Sequence, residues 1–422
     1  MQISPRRAAP LCALWGDFRS MPADSYDTLV VGAGIIGLAV ARELLLRRPG
    51  ARVLVVEREP APGAHQTSHN SGVIHAGVYY APGSLKAALC VDGAARMYAY
   101  CERNAIDVRR IGKLIVALTR AELPALAEIE RRAHENGVAG LRRLEGDGLR
   151  EIEPHATGIA ALHSPGTGIV DFGAVCAQLA ADVRAAGGDL RCGWQVAGVA
   201  ASASSIRLRD ARGDELQGRR AVFCAGLWSD RLAVLAGASP DPRIVPFRGG
   251  YLRLRPERRD IVRGLIYPVP DPGLPFLGVH LTPRIDGEVL LGPSALLVGA
   301  RDGYRLSTVR AADIRDTATW PGTWRMMRRW WHTGVGELRL AASRDAFAAE
   351  ASRYVPGMRG EDLLPAFGGV RAQAVGRDGR LLDDFLLSAT PRAIHVRNAP
   401  SPAATSSLAL AVRIADAADE LS

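Results

Sequence analysis

Three glycines at a fixed spacing are the first residues of the chain that could do chemistry. Gly32, Gly34 and Gly37 form the pattern G-x-G-x-x-G, which follows an apolar run at residues 28–31 and precedes an apolar stretch at residues 38–46. The run predicts a buried strand, and the stretch predicts a helix. A helix that begins directly after such a turn offers free N–H groups and a positive dipole end to phosphate. The segment therefore predicts a site for the pyrophosphate of a dinucleotide.

An acidic residue supports this prediction. Residues 51–56 predict a second buried strand, which is followed by Glu57, twenty residues after Gly37. A carboxylate at this distance is placed to bind a ribose hydroxyl, and it disfavours a 2′-phosphate. The expected cofactor is therefore FAD or NAD rather than NADP. An ordinary glycine turn in an α/β protein is the alternative, and the combination of strand, helix and acid makes it the weaker one.

Later segments could approach the same cofactor. Residues 64–80 are polar, rich in small residues and rich in histidine, which predicts a loop and short helix lining a site. The apolar run at residues 220–223 ends in a turn of small residues, so it predicts a second close approach of the backbone. Residues 398–407 combine prolines with hydroxyl side chains, as is typical of a helix start. The cofactor is thus expected between elements from both ends of the chain.

Composition limits the class of protein. The chain has 422 residues, of which 48% are hydrophobic, and a formal net charge of +9. This length predicts two or three domains. Lys86 and Lys113 are the lysines, the other basic residues are scattered arginines, and no basic helix carries interleaved aromatic residues. We therefore expect no nucleic-acid partner. The cysteines are dispersed without a C-x-x-C pair, so we expect no metal site and a reducing cytoplasm.

Membrane contact is left open by the sequence. No apolar run reaches the roughly 18 residues of a transmembrane helix, so a cytoplasmic protein is expected. Residues 1–24 are predicted to be a flexible N-terminal lead. Residues 320–331 are rich in tryptophan and arginine. They could form a peripheral patch on the inner membrane, or a packed helix whose arginines are solvated.

Longer motifs narrow the comparison to one family. They are residues 69–77 (HNSGVIHAG), 82–87 (PGSLKA), 241–249 (DPRIVPFRG), 369–373 (GVRAQ) and 395–407 (HVRNAPSPAATSS). With these motifs the chain resembles, from about Tyr26 to its end, the L-2-hydroxyglutarate dehydrogenase (oxidase) family within the D-amino-acid-oxidase-like FAD superfamily. Cys224 stands where many members of the superfamily have threonine. Because the backbone makes the approach at this turn, the departure matters little.

The resemblance implies an α/β plus α+β fold with FAD as the cofactor. A discontinuous, Rossmann-like FAD-binding domain would comprise residues 25–110, 155–235 and 360–422. An inserted substrate-binding domain with an antiparallel sheet would comprise residues 111–154 and 236–359. The residues implied in cofactor binding are Gly32, Gly34, Ile36, Gly37, Glu57, Thr67, Ser68, His69, Asn70, Ser71, Val196, Ala225, Gly226, Trp228, Gly369, Arg371, Pro402, Ala403, Ala404 and Thr405. The start of the last helix would face the flavin C2 carbonyl, where negative charge builds on reduction.

The implied reaction is oxidation of L-2-hydroxyglutarate to 2-oxoglutarate, with hydride transfer from C2 to flavin N5 and electrons passed to a membrane quinone or to oxygen. It needs a base beside the hydroxyl and a cation that binds carboxylate. Histidine suits the first role and arginine the second. The candidate bases are His395, which is slightly favoured, His280 and His75. Arg371 is the candidate carboxylate clamp, and the further substrate candidates are Arg248, Tyr251, Asn398 and, more weakly, Lys86.

The sequence leaves two other functions as alternatives. An amino-acid or amine oxidase on the same scaffold is the closer alternative, and it is disfavoured because the candidate pocket motifs show no obvious carboxylate. A flavin-containing scaffold or nucleic-acid-binding protein without turnover is the second, and its support is the sequence pI of about 9.6.

Overall fold

A computed structural model describes residues 25–271 and 278–421. The strands are β1 Tyr26–Val31, β2 Val53–Val56, β3 Val73–Ile74, β4 Val108–Arg110, β5 Lys113–Ala117, β6 Arg142–Glu145, β7 Ala160–Ser164, β8 Gly168–Val170, β9 Asp189–Arg191, β10 Val196–Ala201, β11 Ile206–Asp210, β12 Glu215–Phe223, β13 Arg243–Leu254, β14 Leu265–Pro268, β15 His280–Pro283, β16 Val289–Gly292, β17 Leu296–Leu297, β18 Leu363–Val375, β19 Leu386–Thr390 and β20 Ala393–Asn398. The helices are α1 Ile35–Arg47, α2 Leu85–Arg103, α3 Leu123–Glu135, α4 Gly148–Ile152, α5 Phe172–Ala185, α6 Ser229–Leu235, α7 Ala311–Thr319, α8 Pro321–Ala342, α9 Arg344–Ser352 and α10 Ala403–Asp419. The predicted N-terminal lead, residues 1–24, lies outside the described residues.

The first sheet has a parallel centre. Strand β1 lies between β2 and β12, and β20 extends the parallel part beyond β12. Helices α1, α5 and α10 cover one face of these strands, and the other face packs with Trp194, strands β10 and β11 and helix α6. Both faces are therefore apolar, as is typical of parallel sheets. Their carboxyl ends meet at one edge, which is where ligands bind in such sheets. The glycine turn, Glu57 and the turn at Cys224 all follow strands at this edge.

In the second sheet, alternate residues along each strand point to opposite faces. The register aligns Leu114 of β5, Ile266 of β14, Leu281 of β15 and Leu291 of β16. These side chains belong to one buried core together with residues of helix α9. Because neighbouring residues in a strand point to opposite faces, the residues next to this leucine row point away from that core. We call the face opposite the leucine row the cavity face.

Strand pairing revises the predicted domain boundaries at two strands. Residues 155–164 and 363–375 were predicted to belong to the FAD-binding domain. Instead β7 pairs with β5 and β6, and β18 pairs along β13, so both strands lie in the second sheet. Partners distant in sequence determine both assignments, which explains why local pattern did not reveal them. The apolar pattern at residues 275–281 also predicts a strand, and its first residues, 275–277, lie outside the described residues.

The remaining elements join the two sheets. Strands β3, β4 and β8 form a small separate sheet. Helices α2 and α10 pack closely, and a side chain at Gly93 of α2 would lie 2.6 Å from Cα of Ser406. The close contact holds the start of α10 against the segment that contains β3. The mixed fold with an inserted sheet agrees with the predicted fold class.

Candidate active site

A cavity of about 1240 Å³ lies between the edge of the first sheet and the cavity face of the second. Its lining includes the turn before α1, the first turn of α10 and side chains from β13, β15 and β18. The volume exceeds the usual range of about 300–1,000 Å³ for small-ligand sites. A long cofactor and a small substrate can therefore be held together.

The glycine turn is built for close packing and close approach. Gly32 has φ of 104°, and a Cβ at this position would collide with the carbonyl oxygen of Cys224. A Cβ at Gly37 would collide with the carbonyl oxygen of Gly32. At Gly34 a Cβ would meet only Thr67 Oγ1, at 3.4 Å. Gly32 and Gly37 are therefore required by the fold, whereas Gly34 leaves open space for a ligand.

Glu57 is fixed at the cavity edge by backbone donors. Its Oε2 accepts from the N–H of Ala33 at 2.8 Å and its Oε1 from the N–H of Glu59 at 2.9 Å. Thr67 Oγ1 accepts from the N–H of Ile35 at 3.1 Å, and α1 has no side-chain cap from its own N-cap residue. A helix that begins directly after a glycine turn, next to a fixed carboxylate, can bind the pyrophosphate and the ribose of FAD.

Internal hydrogen bonds stabilise the conformation of the loop after β2. Asn70 Nδ2 donates to the carbonyl oxygens of Gln66 and Thr67, and its Oδ1 accepts from the N–H of Gly72. Ser68 Oγ donates to the carbonyl oxygen of Gly63, and Ser68 does not line the cavity. The roles of Ser68 and Asn70 in this structure are to hold the loop.

The other predicted cofactor residues converge on the cavity. They line it from three further directions: Ile36, His69, Ser71, Val196, Ala225, Gly226, Trp228, Gly369, Pro402, Ala403, Ala404 and Thr405. Thr405 Oγ1 donates to the carbonyl oxygen of Val73 at 3.3 Å and accepts from the N–H of His75 at 3.1 Å. This pair of bonds ties the start of α10 to the histidine-rich segment.

Arg371 and Tyr251 lie on the cavity face of the second sheet and interact electrostatically. Arg371 lies on β18 opposite Phe247 of β13, and both Arg371 and Tyr251 line the cavity. Burial lowers the pKa of Arg371, partly offset by Tyr251 and Glu337. Burial likewise raises the pKa of Tyr251. A buried guanidinium on a cavity wall can bind a carboxylate through parallel hydrogen bonds.

Two predicted histidines line the same cavity in the neutral form. His280 Nδ1–H donates to the carbonyl oxygen of Gly278 at 3.1 Å, and burial lowers the pKa of His280 to about 3. Burial also holds the pKa of His75 well below its usual value, with the charge of Lys113 as the next cause. His75 Nδ1 is buried and has no hydrogen-bond partner among the described residues. Both imidazoles can therefore accept a proton.

His395, the slightly favoured base, is misplaced for that role. Its ring stacks on Phe223 with centroids 4.8 Å apart, and its Nε2 shares a 2.8 Å hydrogen bond with Thr390 Oγ1. The residue is inside the ladder of the first sheet, and the cavity begins beyond it at Val396. The prediction that His395 is the base is therefore wrong, because its side chain is enclosed between strands of the first sheet.

Two of the predicted substrate residues donate hydrogen bonds to backbone carbonyl groups, although Asn398 also keeps a buried Oδ1 without a hydrogen-bond partner among the described residues. Arg248 does not line the cavity, and its Nε donates to the carbonyl oxygen of Tyr304 at 2.8 Å. Asn398 does line the cavity, but its Nδ2 donates to the carbonyl oxygens of Leu382 and Asp384. Tyr304 in turn stacks on His69 with centroids 4.1 Å apart. Both side chains position neighbouring cavity segments.

Sequence reasoning missed several residues of this wall. Tyr79, Tyr267 and Gln373 line the cavity, and Lys113 lies buried behind it. The available signal was one of the two lysines of the chain at the start of the apolar strand at residues 113–117. A lysine inside an apolar strand is unusual enough to deserve a functional hypothesis.

Comparison with known proteins agrees with this geometry. A profile of the family described as DAO, FAD dependent oxidoreductase, matches residues 27–417. The mitochondrial L-2-hydroxyglutarate dehydrogenase of Homo sapiens is 44% identical over 426 residues, covering 97% of this chain and 91% of its own. The L-2-hydroxyglutarate dehydrogenase of Escherichia coli is 41% identical over 389 residues, covering 92% of each.

This chain belongs to the L-2-hydroxyglutarate dehydrogenase family of FAD-dependent oxidoreductases. FAD is its cofactor. Among solved structures, the FAD-bound L-alpha-glycerophosphate oxidase from Mycoplasma pneumoniae matches with a TM-score of 0.76 at 21% identity, covering 94% of each chain. Glycine oxidase from Geobacillus kaustophilus matches with a TM-score of 0.70 at 21% identity, covering 95% and 96%. These structural likenesses confirm the fold.

Residues 25–271 and 278–421 contain no group of three or more histidine, cysteine, aspartate or glutamate side chains arranged to hold a metal ion. Within the same ranges, no helix has both the length and the apolar character needed to cross a membrane.

Proposed function

We propose that this enzyme oxidises L-2-hydroxyglutarate to 2-oxoglutarate. The identity of 41–44% to L-2-hydroxyglutarate dehydrogenases, over more than nine-tenths of each chain for those of Escherichia coli and man, supports this substrate. The observation that carries the proposal is the presence of buried Arg371 and the neutral imidazoles of His75 and His280 in one cavity beside the glycine turn. An arginine for a carboxylate and an imidazole for a hydroxyl are the groups that a 2-hydroxy acid needs.

The proposed roles follow from position. Arg371 binds a carboxylate of the substrate and orients the C2 hydroxyl. His75 accepts the hydroxyl proton, because His75 lines the cavity and its buried Nδ1 has no hydrogen-bond partner among the described residues. His280 has its Nδ1–H engaged by Gly278, so its Nε2 is the nitrogen available to hydrogen-bond the substrate. FAD, when bound by the glycine turn and the start of α10, supplies the hydride acceptor.

Anaerobic reduction of the flavin tests the substrate. The purified holoenzyme is mixed without oxygen with L-2-hydroxyglutarate, D-2-hydroxyglutarate, L-lactate, glutamate, glycine and sarcosine, and bleaching of the flavin absorbance is followed. We expect fast bleaching by L-2-hydroxyglutarate alone. Faster bleaching by glutamate, glycine or sarcosine would instead identify an amino-acid or amine oxidase. L-lactate is a 2-hydroxy acid with one carboxylate, so comparison with L-2-hydroxyglutarate shows whether the enzyme requires the second carboxylate.

We further propose that the electrons pass to a membrane quinone, with α8 resting on the lipid surface. Five apolar side chains recur at intervals of three or four residues along α8, on both sides of a kink at Trp330, and are each 40–60% exposed: Trp324, Met327, Trp331, Val335 and Leu338. Exposed arginines flank this stripe, namely Arg325, Arg328 and Arg329. Tryptophans beside arginines suit the interface of a bilayer that contains anionic lipid.

The inner side of α8 connects this surface to the cavity. Glu337 Oε2 accepts from the N–H of Ala295 at 2.6 Å. Ser294, next to Ala295, accepts from the N–H of Gly250 through its Oγ at 3.0 Å. Gly249 and Pro293 on these segments line the cavity. A helix that rests on lipid would therefore also border the site.

Vesicle binding tests this proposal. Sedimentation with phosphatidylcholine vesicles is compared with and without phosphatidylglycerol, for the natural protein and the double variant Trp324→Ser, Trp331→Ser. We expect binding to the anionic vesicles that the double variant loses by at least tenfold. Leu46→Ser is the matched control, because Leu46 is 55% exposed on α1, away from α8. A dimer in solution that the double variant abolishes, without vesicle binding, would show that the stripe contacts a second copy.

A further inference from the structure

Lys113 is a buried cation behind the cavity wall. Lys113 is the first residue of β5 and is 1% exposed. Its ammonium group lies 4.3 Å from the centroid of the Tyr267 ring and 5.1 Å from the centroid of the Tyr79 ring. Both tyrosines line the cavity, whereas Lys113 itself does not. No carboxylate among the described residues forms an ion pair with it. Isolated buried lysines are rare because burial penalises the charge.

The register explains how Lys113 comes to lie beside the histidines. Lys113 is paired with Leu265 across β5 and β14, and Tyr267 lies two residues further along β14 on the same face. Ile266 is paired with Leu281, so His280 shares the face of Tyr267. The rings of Tyr267 and His280 stack with centroids 4.0 Å apart. The two-residue period thus places Lys113, Tyr267 and His280 on the cavity face together.

We propose that Lys113 is a positioning residue whose charge adds to the effect of burial in keeping the imidazoles of His75 and His280 unprotonated, so that they can accept a proton from substrate. The proposal rests on the proposed oxidation, because it concerns the base of that reaction. Lys113 acts through electrostatics across Tyr79 and Tyr267 and does not itself contact the reacting atoms.

The order of proton affinities supports this role. Burial lowers the pKa of Lys113 to about 7, while the pKa of His280 is lowered to about 3 and that of His75 lies well below its usual value. As the pH falls below neutrality, Lys113 is therefore protonated first. Its charge then opposes a second proton on either imidazole, because like charges in a poorly solvated wall repel strongly.

Other titratable groups line the same cavity or, like Cys90, bond to the backbone of His75, and they must be considered in any test. They are Lys86 and Cys90 of α2, Tyr79 and Tyr80 before α2, Tyr251 of β13, Tyr267 of β14 and Arg371 of β18. Lys86 differs from Lys113 because its Nζ is paired with Asp383 at 2.6 Å. It also acts on His75 less than Lys113 does, and it is not among the causes for His280. Lys86 is therefore the matched control.

The test is a histidine titration that needs no turnover. The oxidised holoenzyme is labelled with [¹³Cε1]histidine, and the signals of His75 and His280 are assigned with His75→Gln and His280→Gln. In Lys113→Met we expect the midpoint of at least one of these signals to move upward by about one pH unit. Lys113→Arg restores the charge and should return the midpoint towards that of the natural protein. Lys86→Met should leave the His280 signal unchanged.

Turnover provides the second readout. In Lys113→Met, the acid limb of the pH profile for anaerobic flavin reduction should shift upward with the histidine midpoint. Unchanged midpoints for both histidines in Lys113→Met, with FAD content and thermal midpoint retained, would overturn the proposal. Should Lys113→Met fail to fold, Lys113→Gln answers the same question. A moved midpoint in a protein that L-2-hydroxyglutarate does not reduce would support this inference and refute the proposed function.

Discussion

Tyr267 and His280 stack across neighbouring strands with ring centroids 4.0 Å apart. The stack lies on the cavity face, while Ile266 and Leu281, one residue away on each strand, enter the core beneath. His280 is further held by its hydrogen bond to Gly278. A ring fixed by stacking on one partner and hydrogen bonding to another offers a single nitrogen to the cavity.

Replacement of the two cavity histidines should separate their roles. His75→Asn should slow anaerobic flavin reduction by about 10²–10⁴-fold, because removal of a general base has this effect. His280→Asn should slow it less, since we place His280 as a hydrogen-bond partner. Stopped-flow absorbance measures both, and FAD content serves as the control for an intact site. A His395→Asn protein slower than His75→Asn would restore the original expectation for His395.

Arg371 should determine substrate binding. In Arg371→Met, kcat/KM for L-2-hydroxyglutarate should fall by about 10²-fold or more, because a charge-assisted hydrogen bond contributes about 1.5–3 kcal/mol and two are lost. Arg371→Lys keeps the charge and should recover part of the loss. Arg253→Met is the control, because Arg253 forms an ion pair with Glu288 elsewhere on the same sheet. Equal losses in Arg371→Met and Arg253→Met would show that the effect is structural.

Replacement of Gly34 by alanine and replacement of Gly37 by alanine should damage different properties, FAD binding in the first case and stability in the second. Gly34→Ala should weaken FAD binding at least tenfold and leave the thermal midpoint of the apoprotein nearly unchanged, because the added methyl group meets only Thr67 Oγ1 at 3.4 Å. Gly37→Ala should lower that midpoint, because its methyl group collides with backbone. FAD titration and thermal unfolding measure the two effects. A stable Gly37→Ala apoprotein would contradict the packing argument.

Local signals in the sequence were sufficient for the cofactor half of the site. The turn from Gly32 to Gly37 and the position of Glu57 predicted a dinucleotide cofactor, FAD or NAD, from residues that are close together in the chain. The family resemblance narrowed the cofactor to FAD, which is confirmed. The fold class was confirmed with them. These features depend on a strand, a turn and a helix that are consecutive.

The substrate half could not be predicted in the same way. His395 was expected in the cavity because its motif lies near the last helix, but strand pairing encloses it between Phe223 and Thr390. Lys113 was passed over because its strand reads as ordinary core. Its position beside Tyr267 depends on a register between strands about 150 residues apart in sequence, which no local pattern reveals.

Burial of Lys113 should lower the free energy of unfolding by an amount that depends on pH. Its pKa in the folded protein, about 7, is below that of an unfolded lysine, so the unfolded chain binds the extra proton between these values. The cost is therefore complete below pH 7 and disappears as the pH rises towards about 10.4. Lys113→Met should raise the free energy of unfolding by a few kcal/mol at pH 6 and by little at pH 10. Denaturation at the two pH values measures this, and an equal effect at both would contradict it.

The most direct test of the central claim is reduction of the bound flavin by L-2-hydroxyglutarate deuterated at C2. Under anaerobic conditions we expect the flavin to bleach completely, more slowly than with the unlabelled substrate, and one equivalent of 2-oxoglutarate to form for each flavin reduced. A flavin that stays oxidised, or that is reduced without formation of 2-oxoglutarate, would contradict the proposed function.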